Sequence, residues 1–157
     1  MRNRIIEQNA TTAAAESHSG SWDLARIATV EVTSENPRFP IESVFTGSAS
    51  GWRAGQTGDQ TIRLIFDAPV SVRRIQLRFE EPKVQRTQEF VLSWSAERGG
   101  PNTEIIRQQW NFSPVGSTIE VEDYAVDLQG LSVLELTIRP DLTQRDAVAT
   151  LAAFHLK

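Results

Sequence analysis

Cysteine is absent from this sequence of 157 residues, and histidine occurs only twice, at His18 and His155. The lack of cysteine excludes disulfide bonds and thiol chemistry, and it removes any sequence indication of the redox compartment. A histidine-centred triad or zinc site would need both histidines to meet from unrelated parts of the chain. We therefore expect a protein that is not an enzyme and that uses no cofactor.

The sequence also has no long apolar run and no block of like charges. No run is long enough to span a bilayer or to form the apolar region of a secretory signal, since Ile5-Ile6 is followed at once by Glu7. A net charge of −4 argues against a nucleic-acid partner held by phosphate contacts alone. We accordingly expect a cytoplasmic protein without membrane or nucleic-acid partners.

The beginning of the chain differs in composition from the rest. Residues 1–21 contain few large apolar side chains and end in the polar stretch Glu16–Ser21. Such a composition buries little surface. We predict a flexible polar tail over residues 1–21, in which Arg4–Ala15 is a candidate for a short helix, and a single folded domain over residues 22–157.

Alternation of apolar and polar residues is the main signal after Trp22. It is clearest in Thr61–Phe79, which reads as strand, turn and strand, with the turn at Asp67–Pro69. The apolar face switches at Arg73-Arg74, which predicts a bulge or bend there. Further strands are predicted at Ala28–Thr33, Phe90–Ser95, Glu104–Asn111, Thr118–Val126, Leu134–Arg139 and Ala149–Lys157, with Glu104–Asn111 and Thr118–Val126 forming a hairpin. About eight short strands separated by turn residues predict an all-β antiparallel sandwich.

The order of these segments resembles the discoidin or coagulation-factor type C domains, which share the galactose-binding-like jelly roll with many carbohydrate-binding modules. The resemblance rests on Ala28–Glu35, Pro40–Trp52, Thr61–Phe79, Phe90–Gly99, Ser132–Arg139 and Thr150–Leu156, and it covers nearly all of the chain after the tail. It implies a jelly-roll sandwich whose ligand is held by loops at one end. Relatives of this fold also serve as scaffolds in multiprotein assemblies.

Two positions depart from the resemblance where many family members bind a structural calcium ion. Thr46 stands where the first loop would supply an aspartate, and Ala153 stands where the last strand would supply a glutamate. Calcium requires several hard oxygen ligands, so the loss of both anionic ones weakens such a site greatly. We predict no tightly bound metal.

The resemblance places the ligand near the loops Ser34–Pro40, Ser48–Gly58, Glu80–Thr87 and Glu97–Thr103. Arginine and aromatic side chains suit a sugar, because a planar guanidinium forks to two hydroxyls or a carboxylate and a ring packs against the apolar sugar face. The candidates in these loops are Arg38, Trp52, Arg53, Lys83, Arg86 and Arg98. For Trp52, the resemblance favours burial in the core, and a platform for a sugar is the alternative.

Two functions remain open from the sequence. The first is a non-catalytic module that binds a carbohydrate or related polar ligand. The second is a cytoplasmic protein–protein interaction domain, in which the N-terminal segment orders on a partner. The fold alone does not decide between them, since one fold hosts unrelated functions.

Overall fold

The structure is a computed structural model that describes residues 2–5, 10–12, 22–47, 50–143 and 146–157. Its strands are β1 (Arg2–Ile5), β2 (Ala10–Thr12), β3 (Ala28–Val32), β4 (Trp52–Arg53), β5 (Gln60–Glu80), β6 (Arg86–Ser95), β7 (Thr103–Phe112), β8 (Ile119–Arg139), β9 (Thr150–Leu151) and β10 (Ala153–Leu156). Two helices of a single turn, α1 (Leu24–Ile27) and α2 (Ser43–Thr46), complete the described elements. The predicted all-β class is confirmed.

Two long strands, β5 and β8, organise the sandwich. Each has 21 residues, and they pair antiparallel from Gln60 opposite Ile138 to Glu80 opposite Ile119. Their register shifts between Ile65 and Val70, and again on either side of Val72. These irregularities are where β-bulges bend a strand, so the bulge predicted near Arg73-Arg74 is confirmed.

The bend divides both strands between two layers. The first half of β5 pairs with β3, whereas its second half pairs with β10. The first layer therefore contains β3, the first half of β5, the second half of β8, β6 and β7, and the second contains β10 with the remaining halves. The predicted strand, turn and strand of Thr61–Phe79 is thus one bent strand, because a bulge and a reversing turn leave similar marks in a sequence.

The core lies between these layers. Phe79 in the second layer stacks on Phe90 in the first, with ring centroids 5.2 Å apart, and neither ring is exposed. Inward-facing Ile62, Leu64 and Leu136 alternate with outward polar residues, as a sheet with one buried face requires. Burying each such side chain stabilises the fold by about 1.5–3 kcal/mol.

The predicted hairpin between Glu104–Asn111 and Thr118–Val126 is wrong. Strand β7 pairs with β6, while the first part of β8 pairs with β5. The chain between them carries an isolated bridge, Ser113 to Ser117, and crosses from one layer to the other. Neighbouring strands in sequence therefore belong to opposite faces of the sandwich here.

Part of the N-terminal segment pairs with the domain. Strand β1 lies parallel to β3 and antiparallel to β2. The helix predicted over Arg4–Ala15 is therefore wrong at the residues that these two strands include. The rest of the predicted tail lies outside the described residues, and the division of the chain at residue 21 stays a prediction.

Strand register defines the two ends of the sandwich. Glu89 pairs with Arg139 and Gln60 with Ile138, so these residues share one end, which we call the loop end. Ser95 pairs with Val133 at the opposite end. Within the described residues, no helix combines the length and the apolar character that crossing a membrane requires.

Candidate functional site

Most of the candidate residues meet at the loop end, but Arg98 does not. Arg98 follows Ser95 in the turn between β6 and β7, at the opposite end, and its Nη2 donates to the carbonyl of Phe66 at 3.0 Å. The predicted grouping of Arg98 with the other candidates is therefore corrected. The loop that contains Arg98 lies at the end of the sandwich opposite the loop end, and this position becomes evident only from the strand order.

Arg86 occupies the interior of the loop end. Its Nε donates to Glu81 Oε1 at 3.0 Å and its Nη1 to Gln88 Oε1 at 3.1 Å and the Pro140 carbonyl at 2.9 Å. Its Nη2 donates to Thr150 Oγ1 at 3.1 Å. The side chain is only 1% exposed, so Arg86 joins four segments of the chain and is corrected from a ligand contact to a structural residue.

The electrostatics of Arg86 agree with that role. Burial lowers the pKa of its guanidinium, and the charge of Arg53 lowers it further, while Glu81 acts in the opposite direction. The guanidinium also lies over the ring of Phe112, 4.7 Å from its centroid, a geometry that favours a cation. The charge is thus held by a carboxylate, an aromatic face and three neutral acceptors.

Trp52 also belongs to the structure of the loop end. It is 2% exposed and its Nε1 donates to the Ser34 carbonyl at 3.2 Å. The indole satisfies its one donor inside the protein. Of the two interpretations of Trp52, the structure therefore supports burial in the core.

Arg53, directly beside Trp52, is half-buried. Strand β4 pairs with β9, so the side chains of these consecutive residues point to opposite sides. The Arg53 guanidinium lies 5.7 Å from the ring centroid of Phe39, and backbone hydrogen bonds join the two segments, with Arg53 N donating to Phe39 O at 3.2 Å. Among the described residues, Arg53 forms no ion pair.

A cleft of about 90 Å³ separates these residues from the end of β5. It is lined by Phe39, Ser50, Gly51, Trp52, Arg53, Glu80, Thr150, Leu151 and Ala152. Gly51 has a φ of +67°, and a Cβ there would lie 2.9 Å from the Leu151 carbonyl, so glycine permits the close approach of β4 and β9. The cleft presents an aromatic ring, a cation and a carboxylate within one small space.

Arg38 and Lys83 stand on the loops that flank this cleft. Both are exposed, and neither forms an ion pair with a described residue. The Arg38 loop is ordered by a hydrogen bond between its backbone and the Asn36 side chain, since Arg38 N donates to Asn36 Oδ1 at 3.0 Å. Lys83 N likewise donates to Glu81 Oε2 at 3.3 Å. The structure thus leaves both cations available to solvent at the loop end.

A second hollow at the loop end involves residues that sequence reasoning missed. It measures about 660 Å³ and is lined by Gly58, Asp59, Arg139, Pro140, Asp141, Leu142 and Thr143. Arg139 and Asp59 form an ion pair of 3.6 Å at its rim, and Asp141 Oδ1 accepts from Thr143 Oγ1 at 2.9 Å. Pro140 and Asp141 follow a predicted strand and indicate a loop. The sequence does not indicate that this loop lies beside Asp59.

The residues at the position where many discoidin-type domains bind calcium do not fit the ion. The Thr46–Gly47 turn does approach Ala153, because Gly47 and Ala153 line one hollow. Thr46 Oγ1 donates to the Ser43 carbonyl at 3.4 Å, and Ala153 has no side-chain oxygen. In the part of the chain that the structure describes, no three carboxylate, histidine or cysteine side chains gather. A calcium ion would lack the anionic oxygens that it requires.

We expect chelation to leave the thermal stability unchanged. Without anionic ligands at Thr46 and Ala153, the native state gains nothing from calcium. Melting temperatures measured in EDTA, in calcium and in magnesium should agree. A melting temperature that rises with calcium but not with magnesium would contradict this prediction.

No family model matches the sequence, and no curated protein matches it. Among solved structures, the chain is similar to the CBM32 module of AlyQ in complex with 4,5-unsaturated mannuronic acid, with 15% identity, a TM-score of 0.61 and coverage of 83% of this chain and 95% of that chain. It is also similar to the family 32 CBM of NanJ from C. perfringens in complex with galactose, with 15% identity, a TM-score of 0.56 and coverage of 82% and 92%. A GH29 fucosidase from Ruminococcus gnavus matches at 10% identity and a TM-score of 0.64, but only 24% of that chain is covered, against 82% of this one.

These similarities establish the fold. The chain has the galactose-binding-like β-sandwich fold that the resemblance implied. It covers 95% and 92% of the two modules but only 24% of the fucosidase. At such identities, the ligand of a neighbour does not transfer to this chain by similarity alone.

Proposed function

We propose that this protein is a non-catalytic module that binds a carbohydrate through the loop end of its sandwich. The observation that carries the proposal is the cleft between Phe39 and Arg53 on one side and Glu80 on the other. Sugars are recognised by a ring that packs on their apolar face and by charged groups that bond their hydroxyls. The similar modules in complex with 4,5-unsaturated mannuronic acid and with galactose support this choice.

The acidic residues beside the cleft do not favour a hydrolase. Glu81 is bound to Arg86, and Glu80 is the only carboxylate residue that lines the cleft in the described part of the chain. Glycoside hydrolysis ordinarily requires two carboxyl groups flanking one bond. The alternative of a protein-interaction domain is not favoured by the neighbours, and the cytoplasmic location stays a prediction.

A thermal-shift screen against sugars tests the proposal. A sugar that binds only the native state should raise the melting temperature with dose, by the equivalent of about 2.7 kcal/mol at a hundredfold excess over its Kd. The panel should hold neutral and acidic monosaccharides and their oligomers. Failure of every member to shift the melting temperature or to perturb loop-end resonances in NMR titrations would overturn the proposal.

A further inference from the structure

Two guanidinium groups lie close to the cleft at the loop end, and one of them, that of Arg86, is paired with the buried carboxylate of Glu81. Arg53 lies on its rim, and Thr150 in its wall accepts a hydrogen bond of 3.1 Å from Arg86 Nη2. One guanidinium therefore faces the cleft directly, and a second lies immediately behind the wall. Positive charge in a recess with low-dielectric walls produces a focused potential.

The two guanidinium groups are not equally neutralised. Arg86 has Glu81 at 3.0 Å, whereas Arg53 forms no ion pair with a described residue. After burial, which is the larger cause, the charge of Arg53 contributes to the lowered pKa of Arg86. The pair is thus close enough for mutual repulsion, which an added anion beside Arg53 would relieve.

The carboxylate residue of the cleft, Glu80, suits hydroxyls. The backbone carbonyl of Glu80 accepts from Thr150 Oγ1 at 2.9 Å, which fixes its position. The carboxylate of Glu80 accepts no hydrogen bond from a described residue and forms no ion pair with Arg53. An ionised carboxylate is an acceptor only, so it pairs with donors such as sugar hydroxyls.

We propose that this cleft takes a sugar that bears a carboxylate, with the carboxylate on Arg53 and neighbouring hydroxyls on Glu80. This inference rests on the proposed function and specifies its ligand class. A uronic acid presents one carboxylate beside several hydroxyls, which matches one unpaired guanidinium and one unpaired carboxylate. The volume of about 90 Å³ fits the carboxylate edge of one ring, since whole-ligand sites run to about 300–1,000 Å³.

Other charges at the loop end act in the same direction. Arg38 and Lys83 are exposed and form no ion pair with described residues, in a chain with a net charge of −4. The carboxylate of Asp59, by contrast, is paired with Arg139. An acidic oligosaccharide therefore meets available cations on both sides of the cleft, and its binding should weaken with salt.

Matched pairs of sugars provide the test: galacturonic acid against galactose, and glucuronic acid against glucose, as monomers and short oligomers. We expect the uronates to bind more tightly than their neutral partners at low salt. Arg53→Gln should weaken uronate binding about tenfold or more and leave neutral sugars within about twofold, because a charge-assisted hydrogen bond is worth about 1.5–3 kcal/mol. Arg98→Gln, at the opposite end, is the matched control and should change neither.

Three results are distinguishable. If uronates are preferred and Arg53→Gln abolishes the preference while the melting temperature is kept, the inference stands. If neutral and acidic sugars bind equally and Arg53→Gln affects both alike, the acidic ligand class is wrong and the proposed function survives. If no sugar binds the wild-type protein, both fail. If Arg53→Gln unfolds the protein, Arg53→Lys replaces it in the comparison. Lysine keeps the positive charge but cannot donate two parallel hydrogen bonds to one carboxylate, as the planar guanidinium of arginine does.

Discussion

Replacing Arg86 with methionine is expected to lower the free energy of unfolding by about 3–5 kcal/mol, the usual cost of removing one partner of a buried ion pair. Methionine fills much of the same volume but donates nothing to Glu81, Gln88, Pro140 or Thr150. Glu81, itself 5% exposed, is then left as a buried carboxylate without its cation. Chemical denaturation at neutral pH measures the loss directly.

Two further variants separate this account from a general intolerance of mutation. Arg107→Met removes an exposed arginine that pairs with Glu89 and Glu104, and it should change stability little. Adding Glu81→Gln to Arg86→Met removes the stranded charge, so the double variant should recover part of the lost stability. A loss of less than about 1 kcal/mol in Arg86→Met would show that the buried network contributes little.

The sequence could not distinguish Arg86 from a surface arginine. Its partners Pro140 and Thr150 lie 54 and 64 residues further along the chain, and only the folded topology brings them to the start of β6. Arg98 shows the same limitation in another form. Its loop has the composition of a binding loop, yet which end of the sandwich a loop occupies depends on strand order.

The alternation of apolar and polar residues correctly predicted the features that depend only on residues close together in the sequence. The alternation in Thr61–Phe66 and Leu134–Arg139 predicted strands that the structure confirms, and the change of face near Arg73 predicted the bulge. The sequence did not predict the pairing of β7 correctly. Apolar residues occupy both the odd and the even positions of Thr118–Val126, so the pattern does not identify which face of that strand is buried. Ile119 and Val121 point outward, while Glu120 and Glu122 share the inward face with Tyr124, which reverses the usual expectation for charged side chains.

That reversal places a carboxyl group inside the sandwich. Glu120 has no exposed surface, and Gln88 Nε2 donates to its Oε1 at 3.1 Å. The other oxygen of Glu120, one oxygen of Glu122, the Tyr124 hydroxyl and Trp110 Nε1 are buried without hydrogen-bond partners among the described residues. Burial and, after it, the neighbouring Glu122 together raise the pKa of Glu120 to about 9, while Gln88 and the charge of Arg86 oppose the shift.

The direction of the resulting pH dependence follows from proton binding. In the folded protein Glu120 keeps its proton up to about pH 9, whereas in the unfolded chain it loses the proton near its ordinary pKa of 4.5. Between these values the folded state binds more protons, so stability is greatest below the unfolded pKa and falls as pH rises, by about 1.4 kcal/mol per pH unit. The same buried surroundings and the charges of Glu122 and Glu120 raise the pKa of Tyr124.

Glu120→Gln should therefore stabilise the protein, by about 3 kcal/mol at pH 7, because the amide is neutral in both states. The glutamine keeps the oxygen that Gln88 contacts and gains donors toward Glu122. Free energies of unfolding from pH 5 to pH 9 should decline less steeply in this variant than in the wild type, and the two curves should converge near pH 5. Glu97→Gln, at an exposed turn, is the control and should run parallel to the wild type. Parallel curves for Glu120→Gln would instead mean that Glu120 is ionised inside the sandwich, with its charge balanced by Arg86 across the layer.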